Sequence, residues 1–258
     1  MAGDPDGAGR YGVADAIFAA GGNAVDAAVA TAMVAWVTSP QMCGAGGYGG
    51  HFCIALPGQA PATIDFNTLA PSAAEASDAL DLHGWCASGV PGTLAGLGLA
   101  IERFGKLTLA AVVAPAVKLA RDGVTVTAGF AGSSASMAEV LRQDPASAAL
   151  LLRPSGEPWQ EGDTFTNPDL ANLLETLGTE GSTESVYRGK IGEQIAAAFQ
   201  ANGGRVTEAD MHGYRAQEQP PLRVQYGEYE VLGPPPSCPA VTALQVLASE
   251  LTSNRGCF

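Results

Sequence analysis

Positive charge is what this sequence has least of. Only 13 Lys and Arg residues face 26 Asp and Glu, leaving a formal charge of −13. Such a surface repels a nucleic-acid backbone, and no local Lys/Arg cluster offers an exception, so no nucleic-acid partner is expected. Histidine is scarce too, and His51, His83 and His212 are isolated from one another. The 5 cysteines, at 43, 53, 86, 238 and 257, form no CxxC pair and no zinc spacing. No metal site and no cofactor is expected, and free, mostly buried thiols in a reducing compartment are the default. Long apolar runs are also missing. The most apolar segment, residues 27–37, would be about 16 Å long as a helix, too short to span a bilayer. The start MAGDPDGAGRYG has neither a basic region nor a continuous apolar run, so it does not read as a signal peptide. Repeats, low-complexity tracts and long linkers are absent. With 258 residues and 47% hydrophobic content, one mixed α/β domain over residues 1–258 is the simplest organisation.

Against these absences stand clear local signals. Residues 13–20 read as a short helix stopped by Gly21 and Gly22, after which Asn23 looks like an N-cap answered by Asp26. The helix it opens, AVDAAVATAMVAWV, is small and apolar on every face and should be buried; Ser39-Pro40 ends it. HFCIAL (51–56) and ATIDF (62–66), joined by PGQAP, predict an antiparallel hairpin. A helix from Thr93 sets Leu94, Leu97, Ile101 and Phe104 on one side, and Gly105 stops it. A second, over 108–121, contains Pro115 as a kink and stops at Gly123. Residues 128–168 read as polar and irregular. Helices over 168–177 and 190–201, strands LRVQY and EYEVL flanking Gly227, and a helix from about Ala240 complete the chain.

Glycine is in local excess. In SPQMCGAGGYGGHFCIALPG (39–58), Gly44, Gly46 and Gly49 match G-x-G-x-x-G, and Asp65 follows about where a dinucleotide fold places its ribose acid. That motif must follow a strand and open a helix, because the helix N-terminus supplies the amides and the dipole. Here a helix precedes the glycines and a strand follows, so the loop is not a nucleotide cradle. It reads either as a tight turn packed close to a neighbour or as exposed amides for an anionic transition state or a substrate carboxylate.

In order along the chain, GGNAVDAAVA, SPQMCGAGG, IDFNTLAP, ASGVPGTLAGLGLAIERFGKLTLAAVVAPAVKLARDG, GEPWQEGDTF, VYRGKIGEQIAAAFQANGGRVTEADMHGYRA and GPPPS resemble the amino-terminal half of the γ-glutamyltransferases. The resemblance implies an amino-terminal-nucleophile (Ntn) hydrolase with a four-layer αββα sandwich, of which this chain supplies only part. It also implies a precursor that cuts itself into a large and a small subunit. The small subunit's new amino-terminal Thr is the nucleophile, and its own α-amine is the base. This sequence resembles the large-subunit region and carries no Thr-Thr-His-like segment. Its expected partners are therefore the small subunit of the same precursor and a small-molecule amide such as glutathione or another γ-glutamyl compound. No catalytic residue is assigned within the 258 residues, and the chain alone is expected to be inactive.

Two further departures from the family pattern carry expectations. The family's PPPSSGG reads PPPSCPA here, so Cys238, Pro239 and Ala240 alter a tight turn. In DFNT, Asn67 stands where the family places an Arg that grips the α-carboxylate of the γ-glutamyl group. Asn67 is thus the expected substrate-binding residue, with a strand-end Asn bonding its own loop as the alternative. Asp65 either orients Asn67 or satisfies the loop. Hydrolysis of a non-glutamyl amide, such as a dicarboxylic monoamide or a β-lactam side chain, is the alternative chemistry. A non-catalytic truncated paralogue is the alternative outside enzymes. Cys43 and Cys53 read as packed thiols, Cys86 and His83 as structural, and His212 as solvated in a polar turn after a helix. Tyr48 and His51 fall in an apparent insertion in the glycine loop, and their roles stay open. The compartment is cytoplasmic if the start is genuine, and periplasmic or secreted if it is clipped.

Overall fold

A computed structural model describes residues 5–74, 83–236 and 238–253. Cys257 and Ser237, touched by the sequence reading, lie outside the described residues. Helix α1 (Pro5–Ala19) begins well before residue 13 and packs on α2 (Ala24–Thr38). Its first residue is a proline, whose missing N–H costs nothing there. The expected cap of α2 is present: Asn23 Oδ1 accepts from the Val25 and Asp26 amides, and Asp26 Oδ2 accepts the Asn23 amide at 2.7 Å. Asp26 is nevertheless fully buried. The reason lies beyond its own helix, because its carboxylate also accepts the Lys106 and Leu107 amides at 3.0 and 3.2 Å. Asn23 Nδ2 meanwhile donates to Phe104 O at 2.6 Å. One cap therefore ties α2 to the end of α3 (Thr93–Phe104) and the turn into α4 (Leu109–Asp122). Val29, Ala30, Met33, Val34 and Val37 of α2 are fully buried, as the apolar run requires.

The hairpin forms as expected from β1 (His51–Ile54) and β2 (Ala62–Asp65), with His51 opposite Asp65 and Ile54 opposite Ala62. Between α4 and residue 168 the sequence reading fails, whereas the helices and strands expected after it are present. Residues 128–168, read as irregular, hold α5 (Ala128–Leu141) and α6 (Pro145–Leu151), preceded by β3 (Val124–Thr125) and followed by its partner β4 (Thr164–Phe165). The segment AGFAGSSASMAEVL is rich in Gly and Ser, poor helix formers. Thr127 caps it through its side chain, and Phe130, Ser134 and Ala138 bury one stripe. Phe130 meets Phe165 and Trp159 in a small separate core, while Ser134 Oγ donates to Leu151 O and accepts from Trp159 N. Tertiary packing overrides propensity here.

The remaining elements are α7 (Pro168–Glu180), packed on α4, then α8 (Ser185–Arg188), α9 (Lys190–Ala201) and α10 (Glu208–Gly213). Strand β5 (Gln217–Gln219) joins the hairpin in the order β1-β2-β5, antiparallel throughout. That places β2 at the centre, with Ala62, Thr63 and Ile64 buried. A second hairpin, β6 (Leu222–Tyr226) and β7 (Tyr229–Gly233), turns at Gly227 and packs on α11 (Ala240–Ser253). The altered turn before α11 uses its new residue: the Ala240 amide donates to Cys238 Sγ at 3.4 Å.

Candidate functional site

The chain leaving β2 is held from three sides. From the glycine loop, Gly50 O accepts the Phe66 amide at 2.9 Å and Tyr48 O accepts the Thr68 amide at 2.7 Å. These bonds continue the β1–β2 ladder into the loop. They require Gly49, which has φ +81° and on which a Cβ would lie 1.8 Å from Phe66 O. From the turn before α3, Thr68 Oγ1 donates to Val90 O at 2.8 Å, and Leu69 pairs with Val90. A Cβ on Gly92 would lie 2.1 Å from Phe66 O, so this turn too approaches at backbone distance. From the segment after α10, the Tyr214 hydroxyl donates to Asn67 O at 2.7 Å. Tyr187 stacks on Tyr214 with ring centroids 5.5 Å apart, and its hydroxyl bonds Pro91 O and Ala95 N. Burial pushes both phenols well above the ordinary tyrosine range, and the Asp65 charge adds to the effect at Tyr214.

Asn67 stands at the centre of this clamp. Its backbone amide donates to Asp65 Oδ1 at 3.0 Å, and its Nδ2 donates to the same oxygen at 3.2 Å. His51 Nε2 lies 3.2 Å from Asn67 Nδ2 and 3.5 Å from Asp65 Oδ2. The His51 side chain is 8% exposed and that of Asp65 23%, so the group is sheltered but reachable. The register explains the meeting: His51 and Asp65 are cross-strand partners, and Asn67, two residues past Asp65, returns to the same face. Both sequence readings of Asp65 hold, since it satisfies the loop and orients Asn67. His51, left open from sequence, belongs to the cluster. Tyr48 contributes its carbonyl, while its side chain is 77% exposed.

Other sequence candidates fall elsewhere. Cys43, Cys53 and Cys86 are exposed and Cys238 is half-buried, correcting the expectation of buried thiols. Cys53 lies on the outward side of β1, Cys43 in the loop after α2, and Cys86 in a single 3-10 turn of helix (Trp85–Ala87), where its Sγ donates to Gly203 O at 3.1 Å. His83 is exposed. His212 is exposed as expected, but inside the short helix α10 rather than in a turn. The glycine loop runs into a strand rather than opening a helix of its own, and the helix start it meets is that of α3, where Thr93 Oγ1 donates to Gly47 O at 3.2 Å. Among the described residues no group of three or more His, Cys, Asp or Glu could hold a metal ion, and no helix is long and apolar enough to cross a membrane. A cavity of about 760 Å³ lies under α3, lined by Thr183, Arg188 and Tyr214 among others. It contains none of His51, Asp65 and Asn67, so the polar cluster and the cavity are separate features that share Tyr214.

Comparison with known proteins adds the following. A family model described as gamma-glutamyltranspeptidase matches residues 12–251. The glutathione hydrolase proenzyme of Escherichia coli (strain K12) is 40% identical over 239 residues, which make up 88% of this chain and 41% of that protein. An acylase proenzyme, ACY 1 of Pseudomonas sp. (strain V22), is 38% identical over 236 residues, 85% of this chain and 42% of that protein. The chain thus spans about two fifths of the length of these curated relatives. In three dimensions, the crystal structure of Helicobacter pylori gamma-glutamyltranspeptidase superposes with a TM-score of 0.87 at 29% identity, covering 96% of this chain and 72% of that one. The mixed helix-and-strand architecture is therefore that of the Ntn-hydrolase type found in these enzymes, present here in part.

Proposed function

The chain belongs to the gamma-glutamyltranspeptidase family, and from that premise we propose that it is the large-subunit part of an amide hydrolase or acyltransferase. The nucleophile is an amino-terminal Thr on a small subunit cut from the same precursor. Its hydroxyl attacks the carbonyl carbon of a small amide while its α-amine takes the hydroxyl proton. The amine leaves, and water or an amino acceptor then releases the acyl group. Asn67 lines the pocket for the acyl donor's head group. γ-Glutamyl compounds such as glutathione, or related small amides, are the substrate class.

One observation favours a second reading, in which the preferred donor is not γ-glutamyl. The residue clamped at the end of β2 is a neutral Asn hydrogen-bonded to Asp65, where the family resemblance places an Arg. A guanidinium holds a carboxylate through two parallel charged hydrogen bonds. Hydrogen bonds to charged groups contribute roughly 1.5–3 kcal/mol, against about 1 for a neutral pair. Selection for a free α-carboxylate should therefore be weaker by about 10- to 100-fold. The test is kcat/KM of the complete protein for a γ-glutamyl anilide and for a simple acyl anilide, before and after Asn67→Arg. We expect poor use of glutathione and a shift toward the γ-glutamyl donor in the variant. Strong preference for glutathione by the unaltered protein would refute the second reading.

A further inference from the structure

We propose that His51 is a positioning residue for donor specificity: it turns the Asn67 carboxamide so that both N–H groups are spent on the protein. The proposal rests on the reading above that Asn67 lines the donor pocket. The orientation of the carboxamide follows from its neighbours. Asp65 Oδ1 already accepts the Asn67 backbone N–H at 3.0 Å, so it presents lone pairs to the side chain. Nδ2 at 3.2 Å from that oxygen is attracted, whereas Oδ1 in its place would be repelled. With one N–H on Asp65, the second points to His51 Nε2, also at 3.2 Å. An amide nitrogen accepts nothing, so this contact binds only if Nε2 offers its lone pair and the ring proton sits on Nδ1. Nε2 lies farther from Asp65 Oδ2, at 3.5 Å, than from Asn67 Nδ2.

The consequence is a choice of substrate chemistry. A head group arriving at Asn67 meets a carboxamide whose donor hydrogens are taken, beside the negative charge of Asp65. A free carboxylate finds no N–H on this side chain and a like charge behind it. A neutral carboxamide in the same place carries no like charge and brings N–H groups of its own to donate. The site as built selects acyl donors whose head group at residue 67 is uncharged, and His51 maintains that selection without touching the substrate.

The experiment uses the complete, processed enzyme and two anilides that differ at one group. These are the γ-glutamyl p-nitroanilide and the same compound with its α-carboxylate converted to a carboxamide. The readout is the ratio of their kcat/KM values, with KM and kcat resolved. His51→Ala releases one Asn67 N–H and should move the ratio toward the carboxylate by about tenfold, mostly in KM, the worth of one hydrogen bond to a charged group. His51→Leu removes the acceptor while filling the space, and serves if the alanine variant does not fold. His51→Gln can place Oε1 near the Nε2 position and accept the same N–H, so its ratio should match the unaltered enzyme. An unchanged ratio in His51→Ala or His51→Leu, alongside a changed ratio in Asn67→Ala, would overturn the role of His51 and leave the reading of Asn67 standing. An unchanged ratio in Asn67→Ala as well would overturn both. If His51→Gln behaves like His51→Ala, the effect comes from packing and not from the acceptor, and the proposal is wrong.

Discussion

Replacing Asp26 by Ala removes one carboxylate and orphans three backbone amides on two elements. The Asn23 N–H at the entry to α2 and the Lys106 and Leu107 N–H groups past α3 all point at its oxygens. The residue is fully buried, so water cannot take its place without parting α2 from α3. A hydrogen bond to a charged group contributes roughly 1.5–3 kcal/mol, and an N-terminal cap about 1. These terms share one site and do not simply add, so a loss of about 3–5 kcal/mol is expected, a large part of a typical domain's 5–15. Asp26→Asn keeps one acceptor oxygen and should lose about half of that. Asn23→Ala leaves the carboxylate in place and should cost about 1–2 kcal/mol. Urea unfolding of the complete protein, followed by circular dichroism and tryptophan fluorescence, gives the three values, provided the slope with urea is unchanged. Should Asp26→Ala lie within about 1 kcal/mol of the unaltered protein, the amides have other acceptors and the tie between α2 and α3 is not what it is taken to be.

Gly49→Ala should destabilise by about 2–4 kcal/mol and abolish amidase activity, because its Cβ would collide with a backbone carbonyl at positive φ. Gly46→Ala, with nothing within 4 Å, is the control and should stay within about 0.5 kcal/mol; equal effects would refute the close-approach argument. Burial opposes ionisation of Asp210, but hydrogen bonds from the Thr207 hydroxyl and the Ser72 and Thr207 amides outweigh it and hold the carboxyl at about 2. A depressed folded value means that its stabilisation is present above about pH 4 and fades as pH falls through about 2. Solvent screening limits the effect to about 1 kcal/mol; Asp210→Ala should show a smaller loss of urea midpoint than the unaltered protein over that window, and parallel losses would count against it. Finally, residues 1–258 expressed alone should turn over no γ-glutamyl anilide, since the proposed nucleophile belongs to the small subunit; measurable turnover would sink that assignment.

How much of this was legible in the sequence depended on whether the signal was local. Asn23 and Asp26 announced a cap because both partners lie within one helical turn, yet the Lys106 and Leu107 amides that bury Asp26 lie 80 and 81 residues away. The β1–β2 hairpin was readable from alternation and a short connection. Strand β5 was not, because Gln217–Gln219 is polar and becomes a strand only by pairing with β2. Helix α5 failed for the opposite reason: its Gly and Ser content argues against a helix, and a stripe of three buried residues decides otherwise. Asn67 was marked by a motif comparison, whereas His51 had no local signal. Only the register that sets it opposite Asp65 brings it to Asn67.

The clamp around residue 67 acts on backbone atoms. Gly50 O, Tyr48 O and the Tyr214 hydroxyl hold Phe66, Asn67 and Thr68 through their amides and carbonyls, and Gly49 and Gly92 give those groups room to approach. None of these contacts involves the side chain at 67. The scaffold can therefore exchange that side chain at little cost to the fold. Asp65 and His51 limit the freedom, because they are the groups any new side chain must face. An arginine placed at 67 would meet the Asp65 carboxylate before it met a substrate, and a paired guanidinium has less to offer a second anion. For that reason the gain from Asn67→Arg alone should sit near the lower end of its range, about tenfold. Reaching the upper end requires that Asp65 also lose its charge, so Asn67→Arg combined with Asp65→Asn should exceed the single variant in γ-glutamyl preference. If the double variant is no better, Asp65 does not compete for the guanidinium, and the head group binds beyond the reach of this cluster.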